Sequence, residues 1–271
     1  MTGRRGPPLG EATTYPDRYD PSLLFSMERA AAREALGIAR APPFSGVDIW
    51  TAYEITWLDS RGKPQVAVGE FRVGADSPSV VESKSVKLYL GSFAHERVGR
   101  PPELARIIEG DLSRACGGLV SVTLTPPAEA PRVAPLAGDS IDSLDVAIET
   151  YTPDASLLKP GTAGVEETLR SALFRSTCPV TGQPDYADVQ LRYRGPRIDR
   201  GALLEYLVSY RRHAAFHEAC VERIFVDIAA RCRPDRLTVY ARFLRRGGID
   251  INPFRSNFES APKLDGRTPR Q

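Results

Sequence analysis

A cysteine followed seven residues later by an aspartate, with a proline just after the first and just before the second, suits covalent chemistry. The run is Ser176-Thr177-Cys178-Pro179-Val180-Thr181-Gly182-Gln183-Pro184-Asp185. Each proline fixes its own φ and restricts the residue before it, so Pro179 and Pro184 stiffen both ends of the loop. A nucleophile and its proton donor need that positional control. A small buried thiol in an ordinary turn fits the same residues.

Three other constellations carry chemistry. Glu82-Ser83-Lys84-Ser85-Val86-Lys87-Leu88-Tyr89 opens a helix. Free N–H groups, two hydroxyls and two ammonium groups at a helix start form a phosphate cradle. A serine N-cap with solvated lysines is the plainer reading. Glu82 suits a different task, accepting paired N–H donors such as the amidine edge of a purine-like ring. His217-Glu218 opens the last helix, with Glu218 a second candidate for ring recognition and His217 a candidate acid or donor. The plainer reading there is a glutamate serving the helix dipole. Arg245-Arg246-Gly247-Gly248 can wrap an anionic group or make a charged hairpin turn. His213 and His217 stand four apart with Cys220 one turn on, yet a zinc site needs more ligands and a second shell, so no metal is expected. Without GxGxxG after a strand and without a P-loop, a nucleotide is not held in the Rossmann manner.

The elements that must position these residues follow from periodicity. Ile49–Trp57 and Gln65–Val73 read as a hairpin about Asp59-Ser60-Arg61-Gly62. Val86, Tyr89, Leu90 and Phe93 fall at helical spacing, and Pro101 opens a second helix to about Ala115. Strands are expected at Leu119–Leu124 and Ile141–Ile148 around a proline-rich loop. The second half repeats the order. Val165–Thr177 is assigned to a strand, although Val165, Leu169 and Leu173 also fit a helix. Asp188–Tyr193 is the next strand, Asp199 caps a helix, and a further helix ends before Pro234. Strands follow at Leu237–Phe243 and from Ile249. The expectation is an α+β chain of two ββααββ units, each an antiparallel sheet with helices on one face. Residues 1–40 form an N-terminal arm anchored by Leu23, Leu24 and Phe25, residues 41–150 the first unit and 165–271 the second.

Composition sets the class. The 271 residues, 42% hydrophobic and 26% charged with a net charge of +2, describe a globular chain with no need of a nucleic-acid partner. No apolar run is long enough to span a membrane, no apolar segment follows the first arginines, and four scattered cysteines read as reduced thiols of the cytoplasm.

Together these segments resemble the NADPH-dependent 7-cyano-7-deazaguanine reductases, the nitrile reductases of queuosine biosynthesis, in their long tandem form. The resemblance runs through Tyr19-Asp20-Pro21-Ser22-Leu23-Leu24, Asp48-Ile49-Trp50-Thr51, Gln65-Val66-Ala67-Val68-Gly69, Glu82-Ser83-Lys84-Ser85 with Lys87-Leu88-Tyr89-Leu90, the Cys178–Asp185 loop, Phe216-His217-Glu218, Val221-Glu222-Arg223-Ile224-Phe225, and Arg245-Arg246-Gly247-Gly248 with Asn252-Pro253. It implies tandem tunnelling-fold units. It further implies that Cys178 adds to the nitrile carbon and forms a thioimide, that Asp185 donates protons and that His217 supports it. Val81, Glu82, Ser83, His217 and Glu218 would hold the deazaguanine; Ser83, Lys84, Arg246 and Gly247 would hold NADPH. A homodimer with sites where units meet is implied as well. The chemistry is coherent, because thiolate addition turns a poor hydride acceptor into a protonatable C=N. Two other readings of the same fold are a zinc-dependent cyclohydrolase and a non-catalytic purine- or pterin-binding protein.

Overall fold

Burial alternates along the two longest strands, as a sheet with one covered face requires. Along the second half, Phe174, Ser176 and Cys178 are buried while their neighbours are not, and Asp185, Ala187, Val189, Leu191 and Tyr193 repeat the pattern. The computed structural model describes residues 15–38, 41–130, 132–262 and 266–271. In chain order the elements are β1 (Ser26–Glu28), α1 (Arg29–Ala35), β2 (Ser45–Leu58), β3 (Pro64–Gly74), β4 (Ser79–Val81), α2 (Ser83–Gly91), α3 (Pro101–Cys116), β5 (Val120–Thr125), β6 (Asp139–Ser140), β7 (Pro160–Thr177), β8 (Pro184–Ile198), α4 (Arg200–Ser209), α5 (His217–Cys232), β9 (Arg236–Phe243) and β10 (Ile249–Ser256). The fold class is the expected α+β.

The chain divides into two units that are not contiguous in sequence. The first takes residues up to Ala31, Ile49–Ala130 and Arg246–Ile249; the second takes Ala32–Asp48, Pro131–Arg245 and Asp250–Gln271. Residues 132–150, read from the sequence as the end of the first unit, are thus grouped with the second.

In the first unit the strand order is β5-β3-β2, and β3 pairs antiparallel with β5. Pro101 starts α3 and Gly117 ends it in the left-handed conformation at φ 68°, the punctuation expected of a helix. Trp57, Phe71, Tyr89, Phe93, Leu104 and Ile108 are buried in its core.

In the second unit the order is β10-β9-β8-β7-β6, antiparallel except for the two-residue pairing of β6 with β7. Asp199 caps α4 as expected, its carboxylate accepting the Ala202 N–H at 2.8 Å. α5 ends at Arg233, in the left-handed region at φ 50°, before Pro234. Phe174, Val189, Leu203, Leu207, Ile224, Ile228 and Phe243 belong to one apolar cluster, so the helices cover a single face.

Two strand assignments come out differently. Ile141–Ile148 is not a strand, and among the described residues the first unit stops at ββααβ. Asp142 draws the chain away from a ladder by accepting the Ala172 N–H at 2.9 Å, and a turn closes between Leu144 N–H and Ile141 O. Short polar side chains compete with strand pairing in this way. The second strand of the Cys178 hairpin begins at Pro184 rather than Asp188, which sets Asp185 on the ladder. The ambiguous 165–177 stretch is strand, with a register irregularity between Ser171 and Phe174 that turns Leu173 outward.

Candidate active site

The Cys178 loop is the hairpin between β7 and β8. Thr177 pairs with Pro184 and Ser176 with Asp185. The Cys178 N–H donates to Gln183 O at 2.8 Å, and the Gly182 N–H donates to Cys178 O at 3.0 Å. Gly182 takes φ +66°, a left-handed conformation that glycine adopts without strain. From the other side, Thr177 donates its N–H to His213 O at 2.8 Å and accepts the Ala215 N–H at 3.1 Å. The cysteine is therefore held by backbone bonds on both flanks.

Continuing the register places Cys178 opposite Gln183 and diagonal to Asp185 on the same buried face, roughly 7 Å apart at the backbone and within side-chain reach. Asp185 is 4% exposed. His217, the first residue of α5, approaches it with Nε2 3.5 Å from Oδ1. The imidazole lies on the Phe243 ring at a centroid distance of 3.9 Å, which fixes its plane. Glu218 follows in the first turn, buried at 8% exposure, where its charge also faces the helix dipole. One turn on, the Cys220 thiol is pushed up to about 12 by burial and by the carboxylates of Asp185 and Glu218. The second unit thus brings together Cys178, Asp185, His217 and Glu218.

The first unit gathers the other set. Glu82, not a serine, is the N-cap of α2: its carboxylate accepts the Lys84 N–H at 2.7 Å and the Ser85 N–H at 2.8 Å. Backbone donors expected to cradle a phosphate are therefore engaged by a carboxylate. The segment before β1 clasps the motif, since the Glu82 N–H donates to Phe25 O at 2.9 Å and the Phe25 N–H donates to Ser85 Oγ at 3.1 Å. β1 then pairs with β4, Ser26 opposite Val81. Phe25 is thus an anchor of the arm, through its backbone.

Arg246-Gly247-Gly248-Ile249 forms a tight turn with φ +60° and +84° at the glycines, and the Tyr53 N–H donates to Gly248 O at 2.9 Å. A Cβ on Gly247 would lie 3.2 Å from the Lys87 side chain, so glycine lets the turn approach that ammonium stem. Lys87 is the second ammonium group of the cradle read from the sequence, although it was not among the residues assigned to NADPH. Ser176 and Phe243 were passed over. Alternation from Cys178 marks Ser176, whereas nothing in sequence marks Phe243.

Among the described residues no group of three or more His, Cys, Asp or Glu side chains is placed to hold a metal ion. No helix among them is long and apolar enough to cross a membrane. The family model described as "Nitrile reductase, 7-cyano-7-deazaguanine-reductase N-term" matches residues 15–124, and that described as "QueF-like protein" matches residues 184–262. A protein of Burkholderia vietnamiensis named NADPH-dependent 7-cyano-7-deazaguanine reductase is 54% identical over 268 residues, covering 97% of this chain and 98% of that protein. One of the same name from Bordetella pertussis is 55% identical over the same shares of the two chains. A solved apo structure of the archaeosine synthase QueF-Like overlaps 36% of this chain and 97% of its own at 17% identity and a TM-score of 0.32, too slight to bear on the argument.

Proposed function

From the premise that this chain belongs to the NADPH-dependent 7-cyano-7-deazaguanine reductase family, we propose that Cys178 is the nucleophile of its reaction and Asp185 the proton donor, with His217 in support. The reaction is the reduction of the nitrile of 7-cyano-7-deazaguanine to a primary amine at the expense of NADPH. The observation that carries the residue assignment is the hairpin, which sets a buried thiol diagonal to a buried carboxylate that is itself touched by an imidazole.

The sulfur of Cys178 adds to the nitrile carbon while its proton passes to Asp185 and the nitrogen is protonated. The product is a thioimide, with no net change in protons. NADPH, when bound, supplies one hydride in each of two rounds. Each hydride is matched by one proton, which Asp185 delivers and His217 helps restore; the C–S bond breaks between rounds and returns the thiol. Phe243 keeps the imidazole plane against the carboxylate throughout. Glu218 and Glu82 are assigned to the N–H edge of the ring, and Val81, Ser83 and His217 to further contacts with the same ligand. Glu82 Oε1 accepts the Lys84 N–H and the Ser83 hydroxyl and Oε2 accepts the Ser85 N–H, so ring binding would share the carboxylate with its own helix.

For the cofactor, the fit is to side chains rather than to the helix terminus. Lys84 and Arg246 bear charge suited to phosphate, with Lys87 beside Gly247. Ser83 adds a hydroxyl. We assign the protein to the cytoplasm as a homodimer, supported by family membership and by the absence of a disulfide among its four buried cysteines. Gel filtration with light scattering should return twice the chain mass.

The test is an intact-mass spectrum after adding 7-cyano-7-deazaguanine alone. A single added nitrile, mapped to the Cys178 peptide, is the expected result. Absence of an adduct together with absence of NADPH oxidation refutes the assignment.

A further inference from the structure

Ser176 is fully buried, and the neighbour its hydroxyl reaches is the Cys220 thiol, a weak hydrogen-bonding group. Buried hydroxyls are nearly always well paired, because a poorly paired one forfeits its hydration for little return. This hydroxyl lies beside reacting groups. Ser176 is two residues before Cys178 on the same buried face of the hairpin, and it stands directly opposite Asp185 in the β7–β8 register. Cross-strand partners have Cβ atoms about 5 Å apart, so turning χ1 alone swings the hydroxyl toward that carboxylate. In its present rotamer it lies near enough to the Cys220 thiol to act against the upward push on that group.

We propose that Ser176 is a positioning residue for the reaction, its hydroxyl donating to the Asp185 carboxylate when that group is ionised and so holding it in the form that takes the thiol proton. A hydroxyl suits this because it rotates. It donates to the carboxylate while the charge is present and releases it once Asp185 is protonated. A hydrogen bond to the charged form favours that form, so it keeps the carboxyl from being protonated too early. The titratable groups around Asp185 are His217, Glu218 and Cys220 of α5, Cys178 of the hairpin and His213 of the loop before α5, with the Arg223 charge also acting on Cys220 and His213. Unlike them, the Ser176 hydroxyl does not titrate, so it keeps its proton to donate whatever the state of its neighbours.

The inference rests on the roles of Cys178 and Asp185 proposed above, and the experiment separates the two. The rate of adduct formation with 7-cyano-7-deazaguanine alone is followed by intact mass from acid to neutral pH, for the wild type, Ser176→Ala, Ser176→Thr and Cys178→Ala. Removing a donor from the carboxylate raises its pKa, so the acid limb of Ser176→Ala should move up by about one pH unit. Ser176→Thr keeps a hydroxyl and should restore the limb, and the melting temperature serves as the check on folding. A Ser176→Ala limb superimposable on the wild type, or a shift that Ser176→Thr fails to reverse, overturns the inference. If instead the wild type forms no adduct, or Cys178→Ala still forms one, the proposed function is what fails.

Discussion

Arg255 and Asp185 are both buried ionisable residues on strands of the second unit, and their neighbours differ in kind. Arg255 meets Asp48 at 2.8 Å and Glu222 at 2.9 Å, and Glu222 meets Arg33 at 2.7 Å. Burial alone lowers the pKa of Arg255 and raises that of Glu222, yet in each case the opposite charges win: Arg255 is raised and Glu222 lowered. Asp185 meets a histidine at 3.5 Å, and the hydroxyl directly across the ladder lies beside the Cys220 thiol. One cluster has settled its polar groups, as a fixed part of the fold must. The other keeps contacts that can tighten, as proton transfer requires.

The same contrast runs along α5. Glu218 and Glu222 are one turn apart, both buried, both glutamate. Glu222 ties the helix to β10 and α1 through two arginines, and Glu218 occupies the terminus nearest the hairpin. What separates a glutamate that holds from one assigned to bind is the charge packed against it.

The sharpest test of the contrast is Cys178→Ala, which should abolish the adduct and lower turnover by about a thousandfold or more with the melting temperature little changed. Paired loss of activity and of folding would erase the distinction. Glu222→Ala should do the reverse, destabilising the chain by about 3–5 kcal/mol in chemical denaturation because the buried Arg255 loses one of its two carboxylate partners and Arg33 loses the same carboxylate. Since the folded pKa of Glu222 lies below its ordinary 4.5, its stabilisation is complete above that value and fades as pH falls through the folded pKa. Glu222→Gln should accordingly flatten the acid side of the stability profile. For Glu218→Leu we expect ring binding weakened roughly tenfold or more, read by titration calorimetry, and a melting temperature close to wild type; unchanged affinity would remove Glu218 from the recognition pair. The smallest effect is expected in the first unit. Lys87→Ala should raise the KM for NADPH several-fold, with kcat nearly constant and the difference shrinking at high salt, as loss of one partly exposed phosphate contact would.

Much of this was legible in the residues. Two prolines framing Cys178 and Asp185 marked the hairpin, Asp199 and Pro234 marked helix ends, and helical spacing from Pro101 marked α3. Each of these signals is local: a fixed φ, a side-chain cap, a period of 3.6. The signals that failed were those that competed over distance. Ile141–Ile148 carries strand-like residues, but Asp142 reaches the Ala172 N–H thirty residues away and the ladder does not form. The start of α2 read as a serine cap, yet the carboxylate of Glu82 reaches two helix N–H groups and takes the cap.

Sequence alone determined the chemical inventory: a thiol, a carboxylate and an imidazole on stiffened or capped segments, and a run of hydroxyls and ammonium groups at a helix start. It also determined most element types, because backbone propensity, capping and periodicity act between near neighbours. Tertiary structure decided which groups face one another. The stacking of His217 on Phe243, the Ser176 hydroxyl opposite Asp185 and the arginines around Glu222 depend on strand register and on which face the helices cover, and these are settled by packing over the whole unit.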